Sequence, residues 1–148
     1  MSLTFKRIGI VGSREFKNWE QLKSEIDKII QQDDELVSGG AVGADSMAQR
    51  YAKQYGYYIH IYYPKYAQFG KPATFIRNKV IVENSDVVLA FYAAGRFQQG
   101  GTANSAKWAR DLEVPLFEFE EEINESPERQ EEWAKGWPMS DHQDEMGG

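Results

Sequence analysis

LVSGGAVGAD (Leu36–Asp45) decides the fold of this chain. A short apolar run ends in Gly39, Gly40 and Gly43. Helical spacing begins at once behind them, with Met47, Ala48, Tyr51, Ala52 and Tyr55 on one side of the stretch Ala44–Tyr55. Strand, glycine turn and helix follow in ten residues, the order of a β/α unit. Two other stretches repeat it: GIVGSREF (Gly9–Phe16) and, after a longer loop, QQGGTANSA (Gln98–Ala106). A helix start offers unpaired N–H groups and a partial positive charge, and glycine lets backbone approach a ligand closely. Three such turns at one sheet edge would make an anion pocket suited to a phosphate-bearing metabolite.

The rest of the chain alternates in the same way. Strands are expected at Arg7–Val11, Glu35–Ser38, Tyr57–Tyr62, Val87–Phe91 and Pro115–Phe119. Helices are expected at Trp19–Gln32, Ala44–Tyr55, Ala73–Glu83 and Thr102–Leu112, with a loop rich in Lys, Tyr, Gln and Gly running to Pro72. Alternation with nearly continuous apolar strands predicts a doubly wound, mainly parallel, five-stranded Rossmann-like α/β sheet of order 3-2-1-4-5, with helices on both faces. Ligands bind such sheets at the carboxyl ends of the strands near the switch point, where the three glycine turns emerge.

Composition narrows the function classes. The chain has 148 residues, 41% of them hydrophobic, and no cysteine, so disulfides and thiolate metal sites are excluded. His60 and His142 lie far apart, and neither a metal centre nor a cofactor is expected. The N-terminus lacks an apolar signal-like run and no segment approaches membrane-spanning length, so a cytoplasmic location without membrane contact is the expectation. The net charge of −6 is unevenly spread. Residues 120–148 carry ten acids against Arg129 and Lys135, a net −8, which leaves +2 on residues 1–119. That weakly basic body suits small anions and disfavours tight nucleic-acid binding, which needs a concentrated basic face. Residues 1–119 are therefore read as one ligand-binding domain and 120–148 as an acidic tail. For the tail two readings stand: a short helix over Pro127–Lys135 docked through Trp133 and Trp137, or a partly ordered segment.

The candidate binding residues follow from the turns. In the first, Gly12 permits a sharp exit, Ser13 offers a hydroxyl and a backbone N–H, and Arg14 a fork of donors for phosphate. In the second, Ser38 is a candidate ligand contact, Gly39, Gly40 and Gly43 open space, and Asp45 either complements the helix dipole or contacts ribose hydroxyls or acts as a base. Arg77 and Asn78 sit on the helix Ala73–Glu83, Arg77 beside its core stripe. Gly100 and Gly101 open the last helix, where Thr102 is placed to cap it with its hydroxyl toward a phosphate. Ala93–Arg110 contains Arg96, Lys107 and Arg110 and no acid. Lys107 and Arg110 are read as complements to a helix C-terminus.

GSREF, LVSGGAVGADSMA, FIRNKVIVENSDVVLAFY and GGT at a helix start, in that order, resemble the SLOG superfamily of Rossmann-like nucleotide-associated domains, and within it the small YspA/YpsA-related proteins. The resemblance covers about residues 6–119. It implies a nucleotide-like ligand and a homodimer or larger assembly. Relatives include LOG-type phosphoribohydrolases and the DNA-processing protein DprA. Arg77 sits comparably to the LOG catalytic arginine. Gly101-Thr102 matches the Gly-Thr of the LOG motif PGGxGTxxE, but Ser105 stands where its glutamate acts in glycosidic cleavage. The resemblance therefore implies a nucleotide-binding module with a sensor or accessory role. A nucleoside-phosphate N-glycosidase using Arg77 and Asp45 is the alternative, and a DprA-like single-strand DNA binder the third reading.

Overall fold

The structure, a computed structural model of the chain, describes residues 6–123. Ten elements alternate along it: β1 (Arg7–Gly12), α1 (Trp19–Asp27), β2 (Glu35–Ser38), α2 (Ala44–Tyr55), β3 (Ile59–Ile61), α3 (Tyr66–Phe69), α4 (Ala73–Glu83), β4 (Val87–Tyr92), α5 (Gly100–Asp111) and β5 (Leu116–Glu120). The five strands form one sheet in the order β3-β2-β1-β4-β5, and every neighbouring pair is parallel. The expected fold and strand order are observed.

The two-residue period of the strands sorts the core into two layers. Ile8, Ile10, Leu36, Leu89 and Phe91 pack toward α1 and α2 with Leu22, Ile26, Ala48 and Tyr51. Their chain neighbours Val11, Val37, Val88, Ala90 and Tyr92 pack toward α4 and α5 with Ile81, Val82 and Ala109. All six residues of β4 are buried because both faces are covered and both edges paired. The outer strands are more exposed, with every residue of β3 and β5 half-buried or exposed. β1 and β4 are pressed together at their carboxyl ends. A Cβ on Gly12 would come within 2.7 Å of the Phe91 carbonyl oxygen, so only glycine fits there.

Several boundaries shift for identifiable reasons. α1 ends at Asp27, not Gln32: the Lys28, Ile29 and Ile30 N–H groups turn back onto Ser24 and Ile26. The Ile29 carbonyl then accepts from Lys6 Nζ at 2.8 Å, and Asp34 ties Lys6 and Gln31 to the same corner. β3 starts at Ile59 because Tyr57 still belongs to the cap of α2, its N–H donating to Ala52 beside left-handed Gly56. The loop to Pro72 contains the extra turn α3.

The acidic run begins inside the fold. The Glu121 N–H donates to the Tyr92 carbonyl at 2.7 Å, and its carboxylate accepts the N–H groups of Lys17 (2.8 Å) and Ala94 (3.2 Å). Glu120 accepts from the Gly95 N–H at 2.7 Å, and Gln21 bonds the backbone of both Glu120 and Glu122. The body therefore runs through Glu122, past the boundary expected at Phe119. The expected helix over Pro127–Lys135 and the docking of Trp133 and Trp137 lie outside the described residues. Ending the chain after Ile123 should leave the melting transition of the body in place. Ending it after Phe119 should remove about 2–4 kcal/mol of stability, because the bonds made by Glu120, Glu121 and Glu122 are lost together. Urea denaturation of the two shortened chains measures the difference.

Candidate functional site

The carboxyl ends of β1, β2 and β4 open into one cleft of about 740 Å³, a volume suited to a metabolite-sized ligand. The turn after β1 forms one wall, the turn after β2 the floor, and the first turns of α4 and α5 the opposite side. Of the thirteen residues expected to bind ligand, eleven line it: Gly12, Ser13, Arg14, Gly39, Gly40, Asp45, Arg77, Asn78, Gly100, Gly101 and Thr102. The other two stand behind it. Ser38 is fully buried, with its hydroxyl donating to the Ile10 carbonyl at 2.9 Å and lying beside the Asp45 carboxylate. Gly43 is packed against the backbone of Ser13 and Arg14.

The floor is a chain of polar contacts. Arg77 Nη1 donates to the Gly39 carbonyl and, at 3.4 Å, to the Tyr62 carbonyl, while its Nε donates to Asn78 Oδ1 at 3.0 Å. Asn78 Nδ2 continues the chain to Asn104 Oδ1 at 3.1 Å and the Gly101 carbonyl at 3.5 Å. Arg77 and Asn78 thus link the ends of β2 and β3 to the start of α5. Gly39 makes room for the crossing: a Cβ there would sit 2.7 Å from Arg77 Nη1 and 2.9 Å from Asp45 Oδ2.

Asp45 is 6% exposed, in the first turn of α2. Burial pushes its pKa up to about 6. The opposing influences, the Ala41 N–H that donates to Oδ2 at 3.1 Å, nearby Arg77, Ser38 and the Gly39 backbone, offset only part of that cost. A carboxyl group near neutrality in a cleft can hold or release a proton under ordinary conditions.

Two expected roles are corrected by the hydrogen bonds. The Ser13 N–H is not offered to the cleft, because it donates to the Phe91 carbonyl at 2.9 Å and prolongs the β1–β4 ladder. The Ser13 hydroxyl accepts from the Glu15 N–H at 3.0 Å and keeps its own proton to give. Thr102 does not cap α5. The helix starts two residues earlier, at Gly100, and its N-cap Gln99 makes no side-chain cap bond. Thr102 is instead a buried residue of the first turn with its side chain on the cleft, and Ser105, 2% exposed, follows on the same side. Neither hydroxyl exchanges a hydrogen bond with the described residues.

Sequence reading left several lining residues out. Arg96 joins Arg14 on the cleft, and neither is paired with a carboxylate among the described residues. Its signal was the acid-free segment Ala93–Arg110. Tyr66, Thr74 and Phe75 also line the cleft, brought there by α3 and by the start of α4. Lys107 and Arg110 are engaged elsewhere, with Asp111 and Glu118, each at 2.8 Å. Among the described residues no group of three or more His, Cys, Asp or Glu is placed to hold a metal ion, and no helix is long and apolar enough to cross a membrane.

This order of strand, glycine turn and helix, with Gly39 crossed by Arg77, can be compared with known proteins. Residues 6–66 match YAcAr, the YspA, cpYpsA-related SLOG family. The SLOG resemblance carried by GSREF and LVSGGAVGADSMA is thereby shown. No curated protein sequence matches the chain. Among solved structures, the DNA processing protein A of Helicobacter pylori, described for its single-stranded DNA binding mode, is 24% identical. It superposes with a TM-score of 0.62 over 90% of this chain and 74% of its own. The DprA of Streptococcus pneumoniae is 20% identical, with a TM-score of 0.62 over 89% of this chain. This chain spans 57% of the length of that protein. At these identities the two neighbours share the fold with this SLOG-like chain.

The raised pKa of Asp45 makes a stability prediction. Its carboxyl holds a proton in the folded chain that the unfolded chain releases from about pH 4 upward. Its contribution to stability is therefore full below pH 4 and lost as the pH rises through about 6. Asp45→Asn removes this one slope. The variant's stability relative to the natural chain should rise by roughly 2 kcal/mol between pH 4 and pH 7.5, measured by urea denaturation at both. Other carboxylates cancel in the difference.

Proposed function

We propose that the cleft binds a nucleotide or nucleotide-derived phosphate, and that the chain is a binding module with a sensor or accessory role. One observation carries this reading. The first turns of α4 and α5, both without an acidic residue, meet in a single cleft with the Thr102 and Ser105 hydroxyls and with Arg14 and Arg96. The N–H groups at the start of α5 and two hydroxyls beside them suit the oxygens of a phosphate. The arginines complete a charge clamp from the β1 and β4 turns. Gly12, Gly39 and Gly40 keep the walls low enough for close approach, and Asn78 fixes Arg77 under the ligand. Work in the cytoplasm as a homodimer or larger assembly belongs to the same proposal and rests on the SLOG resemblance.

A second reading, a nucleoside-phosphate N-glycosidase, is favoured by Asp45. A buried carboxyl beside an arginine in a cleft is the equipment of a general acid or base. Against it stands Ser105: the position that carries the carboxylate in the LOG motif is here a hydroxyl, so α5 itself supplies no carboxylate there to stabilise positive charge on a sugar. The similarity to DprA supports a third reading, single-stranded DNA as the source of the bound nucleotide unit.

Isothermal titration with AMP, GMP, CMP and UMP separates the three. Saturable binding without chromatographic release of free base is the expected result. Arg14→Ala and Arg96→Ala should each weaken it about tenfold, and Lys107→Ala should leave it unchanged. Release of base that is lost in Asp45→Asn would replace the module by an enzyme. Binding of a dT oligomer with steep salt dependence, without mononucleotide binding, would replace it by a strand binder.

A further inference from the structure

The cleft is lined by two chemically different sets of groups. At the start of α5 stand Gly100, Gly101 and the hydroxyls of Thr102 and Ser105. From the segment between β3 and the first turn of α4 come two aromatic rings: Tyr66, 59% exposed, and Phe75, 53% exposed. A single exposed ring needs no explanation. Two that line the same polar cleft do.

Their positions show how they come to be there. Phe75 lies three residues before Asn78 and seven before Val82, so it shares their face of α4. Farther along the helix that face is covered: Asn78 is 7% exposed and Val82 fully buried. The face therefore leaves the core at its first turn, and the Phe75 ring stands where the core has given way to the cleft. Tyr66 is held by α3, a single turn closed by the Phe69 and Gly70 N–H groups on the Lys65 and Tyr66 carbonyls and followed by Gly70 at positive φ. Neither ring is paired with another aromatic among the described residues, in contrast to the buried Phe16–Phe91 and Phe91–Phe119 pairs. Tyr63, 61% exposed, packs over Gly40 on the same side.

We propose that Tyr66 and Phe75 form a stacking platform for the base of the ligand, so that the cleft selects nucleotides over sugar phosphates and inorganic phosphate. The proposal rests on the phosphate-binding reading of the α5 end. Every nucleobase has a flat π face, and an aromatic ring takes it with little regard to the pattern of donors and acceptors on its edge. The platform is therefore tolerant among bases and favours purines, which offer more area.

Titration of the full chain with AMP and with ribose 5-phosphate tests this. AMP is expected to bind at least about tenfold more tightly than ribose 5-phosphate, and more tightly than UMP. Phe75→Ala and Tyr66→Ala are each expected to weaken AMP about tenfold while leaving ribose 5-phosphate unchanged. Both residues are exposed, and a melting curve for each variant confirms that the core is intact. Equal affinity for AMP and ribose 5-phosphate would overturn the platform and leave the phosphate site standing. So would variants that weaken both ligands alike. Failure of both ligands to bind would overturn the phosphate reading and the platform together.

Discussion

The side chains of Arg77 and Asn78 hold the cleft together. A parallel sheet brings the ends of its strands near one another, but the turns that follow them are separate loops, and nothing in the sheet ladder fixes one turn against the next. Here a guanidinium on α4 reaches the carbonyls of Gly39 and Tyr62, and the neighbouring amide reaches α5. Half-buried, the guanidinium still needs partners for the donors it turns inward, and three acceptors meet its Nε and Nη1 groups. The same constraint requires glycine at position 39, since a side chain there would occupy the space of the guanidinium and of the Asp45 carboxylate. Floor, helix starts and buried carboxyl are thus one assembly.

The assembly is electrically asymmetric. α2 carries Asp45 in its first turn, where the carboxyl also accepts the Ala41 N–H of the preceding turn. α4 and α5 carry no acid in their first turns, so the partial positive charge at each start is not offset by a carboxylate of its own helix. Glu15 lines the cleft from the β1 turn, while the acids of β5 and the residue after it are employed elsewhere. Glu118 takes Tyr92, Gln98 and Arg110, while Glu120 and Glu121 close the loop from Ala94 to Gly95 against β5. The acidic run that begins at Glu120 therefore first serves the fold, fastening the loop that carries Arg96.

Much of this was legible in the sequence because it depends on local pattern. The apolar Ile8, Ile10 and Val11, the all-apolar VVLAFY and the glycine turns after β1, β2 and β4 point to a parallel sheet with those turns at one edge, and strand order follows from right-handed crossovers. The boundaries that moved depend on tertiary contacts: α1 stops at Asp27 because the corner around Lys6 and Asp34 needs the Ile29 carbonyl. In the site, glycines and charged residues stood out by type. The hydrogen-bond duties of Ser13, Ser38 and Thr102 did not, because a hydroxyl serves ladder, core or ligand according to neighbours that the sequence leaves far apart. Tyr66 and Phe75 escaped for the opposite reason. Their types suggest core, and only the place where α4 leaves the core shows that they face the cleft.

The central claim is that the start of α5 is the phosphate end of the cleft. A crystal structure of the full chain grown with AMP tests it most directly. The account predicts the phosphorus within hydrogen-bonding reach of the Gly101 and Thr102 N–H groups and of the Thr102 and Ser105 hydroxyls, with the α4–α5 link through Asn78 unbroken. A phosphate seated away from α5, or bound at a surface lysine outside the cleft, would contradict it.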